Sequence, residues 1–295
     1  MKLFVTWSPR DVSRFLEELV DGFSVPIGCI SRRLMEKSML TGLRKAIGTT
    51  KEVIVDSLLT TIADANTHSF VSKSQYHILN IQLWLKPDYI VHKDYPILNK
   101  NLTELEKRKL LEKTILNAEI TLKLIEKYGI IDRKVIFVIQ GWSDESFRYC
   151  AKRYADMGVE MFGLGSSIKV NPGDFIKRLH IVREVIGDKA YLHVFGALKP
   201  SVIKLTKNMY NSVDTSTPFK AAAMGYVIIL EGEKVKRIRV DNISLEDLQI
   251  PHPLRIELEN VINEIGQIRE GRPPITRLKR VLAALNVYTL RCALR

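Results

Sequence analysis

Short apolar runs alternate with amphipathic stretches along most of the chain. Eight segments read as strands: 3–7 (LFVTW), 25–30 (VPIGCI), 52–57 (EVIVDS), 89–95 (YIVHKDY), 134–141 (KVIFVIQG), 159–166 (VEMFGLGS), 191–197 (YLHVFGA) and 212–217 (SVDTST). Several are continuously apolar, as strands covered on both faces are. Helical spacing fills the gaps. Val12, Phe15, Leu16 and Leu19 share one face of 10–21, and Leu105, Leu110, Leu111, Ile115, Leu116, Ile120 and Leu124 form a stripe down 103–128. Further helices are predicted after Ser143 or Asp144, which suit an N-cap, and from Pro172, which suits a first turn. Eight strands joined by mostly helical crossovers predict a (β/α)8 TIM barrel, of class α/β. A doubly wound open sheet is the rival; no G-x-G-x-x-G follows the first strand, which weakens its dinucleotide-binding form.

After residue 225 the pattern changes. Residues 226–240 (YVIILEGEKVKRIRV) read as a β-hairpin turning near Glu231-Gly232-Glu233. Helical stretches are predicted over 246–268 and 275–293, separated by Arg272-Pro273-Pro274. The expected organisation is a catalytic barrel over 1–225, with a hairpin and basic helical extension over 226–295 packed on it.

Charge changes the picture more than composition does. The 295 residues carry 45 Lys and Arg against 33 Asp and Glu, a net charge of +12. That balance favours a polyanionic partner, nucleic acid, over the plainer reading of charge for solubility or heat resistance. Cys29, Cys150 and Cys292 lie far apart and form no CxxC pair, and His68, His92 and His193 show no zinc spacing. Neither a metal nor a cofactor is therefore expected. The N-terminal MKLFVTWSPRDVSRF meets charge at once, and no run reaches the roughly 18 apolar residues of a membrane span. A cytoplasmic protein without membrane attachment is expected.

Polar residues collect where the predicted strands end: Asp56-Ser57, Asp94, Gln140-Gly141, Gly163-Leu164-Gly165, Phe195-Gly196 and Asp214. A barrel brings such positions together at its C-terminal mouth. A single Asp after a strand is usually a turn or capping residue. Three aspartates and a glutamine at four strand ends are harder to explain that way. One carboxylate can attack or stabilise an anomeric carbon, a second can protonate the departing group, and a third can accept N–H donors beside Gln140. This set suits a flat, amide-edged ligand such as a purine better than it suits a phosphate.

Five segments together resemble the tRNA-guanine transglycosylase superfamily, barrel enzymes that exchange a guanine in a polynucleotide for a 7-deazaguanine base. IVDSLLT resembles that family's D-S-G-G-F/Y-Q segment at its Asp-Ser start, PDYIVHKDYP the strand ending in a base-recognising Asp, and VIQGWSDESFR the V-Q-G-S segment. YLHVFGALKP resembles H-L-F-G-A-G-H-P, and SVDTSTPFKAAAMG the F-D-S/C-x-x-P-T-R segment with its nucleophile. The resemblance covers residues 50–230. It implies Asp214 as nucleophile at C1′ and Asp56 as general acid/base. It implies Asp94 and Gln140 as readers of the purine edge, with Ser57, Gly141 and the backbone of Gly163 and Leu164 completing the pocket. Phe195 would lie against the base, and Gly196 would allow close approach. Lys199, Lys220, Arg277, Lys279 and Arg280 are the expected nucleic-acid contacts. The partners implied are DNA or tRNA, the 7-deazaguanine base, and a homodimer or accessory subunits.

The sequence also departs from the family. Leu58 and Leu59 replace two glycines, Thr60 stands where an aromatic often stacks, and Leu198 replaces a glycine. The family's C-x-C-x-x-C…H zinc motif has no counterpart among three scattered cysteines. Loss of that RNA-gripping insertion turns the expectation slightly toward DNA over tRNA. Two other classes stay open at this point: a non-catalytic nucleic-acid-binding paralogue acting with a partner subunit, and an unrelated glycosidase barrel with paired carboxylates.

Overall fold

The structure is a computed structural model. It describes residues 1–7, 14–57, 73–99, 101–129, 134–166, 170–196, 200–231, 234–240, 255–256, 259–260 and 275–294. Eight parallel strands pair in chain order and close on themselves: β1 (Lys2–Thr6), β2 (Gly22–Pro26), β3 (Glu52–Asp56), β4 (Tyr89–Val91), β5 (Lys134–Ile139), β6 (Met161–Leu164), β7 (Tyr191–Val194) and β8 (Ser212–Thr215). The closing ladder sets Phe4 against Asp214 and Val5 against Thr215. This is a (β/α)8 barrel, and the open-sheet rival is excluded by the β1–β8 pairing.

Helices cross over between the strands: α1 (Arg14–Leu19), α2 (Arg32–Thr41), α3 (Leu43–Ile47), α4 (Gln75–Leu85), α5 (Glu104–Tyr128), α6 (Asp144–Asp156), α7 (Pro172–Ile186) and α8 (Pro200–Thr206), with α9 (Thr217–Ala223) following β8. Their starts follow local chemistry. Thr103 and Glu106 form a reciprocal capping box on α5, Ser143 caps α6, and Asn171 caps α7 ahead of Pro172.

The period-2 alternation of each strand sorts side chains between two layers. One set, including Leu3, Val5, Val53, Val55, Ile90, Phe137 and Leu164, packs outward against the helices. The other set, Phe4, Ile54, Tyr89, Val91, Ile136 and Val138, fills the barrel interior. Gly22 makes room there, since a Cβ on it would lie 2.2 Å from Phe4 Cε1. The N-terminal end of the barrel is closed by the Lys2–Glu52 ion pair (2.7 Å), with the Tyr89 hydroxyl donating to Glu52 (3.3 Å).

Two sequence expectations are corrected. The second strand does not run 25–30. It spans Gly22–Pro26 and gives way to a 3-10 turn at Ile27–Cys29, because Pro26 has no N–H to carry the ladder on. Several other strands stop two to four residues short of the predicted ends, at Val91, Ile139, Leu164, Val194 and Thr215.

Past the barrel, β9 (Tyr226–Glu231) and β10 (Lys234–Arg239) pair antiparallel as predicted, with the hairpin tip at 232–233 outside the described residues. The helix predicted at 246–268 also falls largely outside them. The final helix, α10 (Ile275–Leu294), packs against α1, α8, α9 and β9, so it covers the flank where β8 meets β1. Asn286 fastens it. This buried side chain accepts from Ile228 N (2.6 Å) and donates to Pro218 O and Tyr226 O (both 3.1 Å). Among the described residues, no helix is long and apolar enough to cross a membrane.

Candidate active site

The polar strand-end residues stand where ladder hydrogen bonding stops, at the C-terminal mouth. Strand alternation turns them inward: Ile54 leads to Asp56 and Val138 to Gln140, while Ser212, bonded to the interior His193, leads to Asp214. All three are buried, as is Asp94, three residues beyond β4. Because β4 and β8 are opposite staves of the closed barrel, Asp94 and Asp214 stand on opposite sides of the mouth.

Residues 92–97 are irregular, yet side chains of neighbouring elements hold their backbone. Lys93 N donates to Gln75 Oε1 (2.6 Å), Asn117 Nδ2 donates to Lys93 O (2.9 Å), and Tyr95 N donates to Thr114 Oγ1 (2.9 Å). His92 points away from the mouth. Its Nδ1 accepts from Val138 N (3.1 Å), so its proton sits on Nε2, beside the Tyr154 hydroxyl at 3.2 Å. Burial pulls this imidazole down to about 4, so it is a neutral structural bracket.

Asp94 is the group this bracing presents. One carboxylate oxygen, Oδ2, accepts from Gln140 Nε2; the other, Oδ1, is buried without a hydrogen-bond partner. Burial lifts this carboxyl to about 7, against the stabilising effect of the Gln140 amide. The Ser57 hydroxyl gives its one proton to His92 O at 2.9 Å. A buried acceptor with no donor is costly, and the cost disappears when a ligand supplies an N–H.

Gln140 is held at both ends of its amide. Its Oε1 accepts from the Ser166 hydroxyl, and Ser166 Oγ in turn accepts from Ile97 N (3.2 Å). Ser166 adopts a left-handed backbone (φ 51°), and Arg178 donates to its carbonyl (2.7 Å). Gly165 gives the amide its space, since a Cβ there would lie 2.3 Å from Gln140 Nε2.

Asp214 is held differently. Its Oδ1 accepts from Gly196 N at 2.7 Å, and Gly196 can present that N–H because it adopts φ 73°. Burial lifts Asp214 to about 6, opposed by Gly196 and by the Ser24 hydroxyl. At neutral pH it is therefore chiefly an anion. Phe195 stands beside His193 with ring centroids 4.4 Å apart, and Gly163 clears its ring, since a Cβ there would lie 2.5 Å from Phe195 Cε2.

The remaining sequence candidates fall less centrally. Leu164 turns its side chain into the outer layer, and its carbonyl accepts from Phe195 N (3.1 Å). Gly141 abuts the first turn of α6, with Phe147 N 2.9 Å from where its Cβ would be. Lys220 and Lys279 are exposed and line one cleft at the mouth; Arg280 is exposed on α10. Lys199 and the Arg277 side chain lie outside the described residues. Ser24 and Ser166 were not anticipated. Their signal is a small hydroxyl at an inward strand position and at a strand end. No group of His, Cys, Asp and Glu suited to a metal occurs among the described residues. Comparison of the sequence with protein-family models and with curated proteins finds no match.

Proposed function

We propose that the chain is a guanine transglycosylase that replaces a guanine in a polynucleotide with a 7-deazaguanine base, with DNA favoured over tRNA. One observation carries the reading. Two buried, differently held carboxylates stand on opposite sides of one barrel mouth, and one of them keeps an unsatisfied acceptor oxygen. The Asp94 acceptor suits the N–H edge of a purine, while the anionic Asp214 suits attack at a sugar carbon.

In this mechanism an Asp214 oxygen bonds to C1′ as the C1′–N9 bond breaks. The bonding pair leaves with the guanine, and Asp56 supplies the proton that neutralises it. Guanine is then exchanged for the new base. Asp56 removes a proton from that base, its ring nitrogen attacks C1′, and the ester to Asp214 opens. Asp94 and Gln140 hold each base in turn, and Phe195 lies against its face. A duplex substrate must first expose its target base. The preference for DNA rests on the sequence, which has no counterpart of the zinc motif.

The test is to mix protein with guanine-containing duplex DNA, or with tRNA, quench in denaturant and measure intact mass. The expected product is an ester-linked protein–polynucleotide adduct with free guanine released, absent for Asp214→Asn and discharged by added base. Adduct on tRNA alone would restore the tRNA reading. Binding without adduct or guanine release would refute catalysis and favour the non-catalytic paralogue.

A further inference from the structure

Beside the catalytic mouth, a cleft of about 290 Å³ opens where β1 and β8 meet. Thr6 and Ser216 line it from the ends of β1 and β8, Phe219, Ala222, Ala223 and Ala283 supply apolar surface, and Lys220 and Lys279 complete the lining. The lysines come from separate helices, α9 and α10, and both are exposed. Among the described residues neither ammonium has an ion-pair partner, and no carboxylate lines the cleft.

Its position relative to Asp214 gives the cleft meaning. Ser216 is two residues beyond Asp214, which is about 6.6 Å along an extended chain at ~3.3 Å per residue. That is the scale of a nucleotide step, ~3.4 Å in stacked duplex and longer in an extended strand. The volume lies just under the range of small-ligand sites, roughly 300–1,000 Å³, and so suits a single nucleotide unit. An apolar wall with cationic groups at its rim is the combination that takes a base or ribose face together with its phosphate.

We propose that this cleft binds the nucleotide next to the target, with its base or sugar against Phe219 and Ala223 and its phosphate between Lys220 and Lys279. This rests on the reading of the substrate as a polynucleotide. It assigns α10 a role in substrate grip as well as in closing the helical layer.

The test measures binding of a fluorescent single-stranded oligodeoxynucleotide by anisotropy across a salt series. Four proteins are compared with wild type. Lys220→Met/Lys279→Met removes the charges, and Ala223→Trp fills the cleft without changing charge. Lys127→Met, at the opposite end of the barrel, controls for generic charge loss. Phe219→Ala trims the wall without adding bulk. The double lysine variant is expected to lower the slope of log affinity against log salt by about 0.7 for each phosphate it no longer neutralises. Ala223→Trp is expected to weaken binding about five- to hundredfold at every salt concentration, the scale of one base–aromatic stacking interaction. Phe219→Ala should weaken it in the same sense, and Lys127→Met should match wild type.

Wild-type binding that Ala223→Trp and Phe219→Ala leave unchanged overturns the cleft, even if the lysines alter the slope. That result would make the lysines part of a diffuse field. A double lysine variant with the wild-type slope overturns it as well. If wild-type protein binds no oligonucleotide at low salt, the polynucleotide reading fails and the cleft proposal falls with it.

Discussion

Replacing Asp94 with asparagine is expected to stabilise the protein, increasingly so as pH rises. The folded chain keeps a proton on this carboxyl up to about pH 7, whereas its ordinary value is 3.8. Between those values the native state binds more protons than the unfolded chain, so wild-type stability falls as pH rises, and the loss is complete above pH 7. At about 1.4 kcal/mol per pH unit, the full penalty is on the order of 4 kcal/mol. Asparagine keeps the shape. Its oxygen can still accept from Gln140 Nε2, and its amide nitrogen replaces the oxygen that already lacks a partner. The charge is therefore the main difference. Urea unfolding of both proteins from pH 5 to 8 should show the Asp94→Asn advantage growing by about 1.4 kcal/mol per pH unit and levelling off near pH 7. Asp214, lifted to about 6, adds its own pH dependence, but it is common to both proteins and cancels. An advantage that does not change with pH, or a variant less stable than wild type at pH 8, would refute the claim that the site holds an ionised carboxylate at a cost to folding.

Other consequences are open to measurement. Reading the base by an anionic Asp94 predicts that kcat/KM for the incoming base falls as pH drops below about 7, approaching tenfold per pH unit; a flat profile would count against that role. Gly165→Ala puts a Cβ 2.3 Å from Gln140 Nε2. It should raise KM for the base about tenfold, the scale of one hydrogen bond to a charged group, with little change in kcat. Asn286→Ala strips partners from Ile228 N, Pro218 O and Tyr226 O, and urea unfolding should show a loss of roughly 2–4 kcal/mol. An unchanged midpoint would mean that the helix does not depend on this anchor.

The barrel was legible because the apolar run of each strand is short, distinct and separated by helical spacing. Strand ends were less legible. The predicted segments absorbed Asp94, Gln140 and Phe195 into strands, whereas the strands end before them and side chains such as Gln75, Thr114 and Asn117 take over the backbone bonding on either side of Asp94. That handover leaves the functional side chains free of the sheet, and no local periodicity encodes it. The short helices α3, α8 and α9 were not marked out individually, being too brief to show a 3.6-residue period. Ser24 was missed because Gly22-Phe23-Ser24 looked like the approach to a strand starting at Val25. Register, set by Gly22 yielding space to Phe4, makes it an inward position level with the site. The basic residues of 275–294 drew attention to charge, yet the buried run from Val281 to Val287 is what makes this helix part of the barrel wall.

The most direct test of the central claim is base exchange itself. Labelled guanine is supplied with duplex DNA and, separately, with tRNA, to wild-type protein and to Asp214→Asn. The account predicts label in DNA with wild type, and a drop of at least about 10³-fold for the variant, as loss of a covalent nucleophile gives. Label that enters neither polymer, or enters equally with Asp214→Asn, would contradict it.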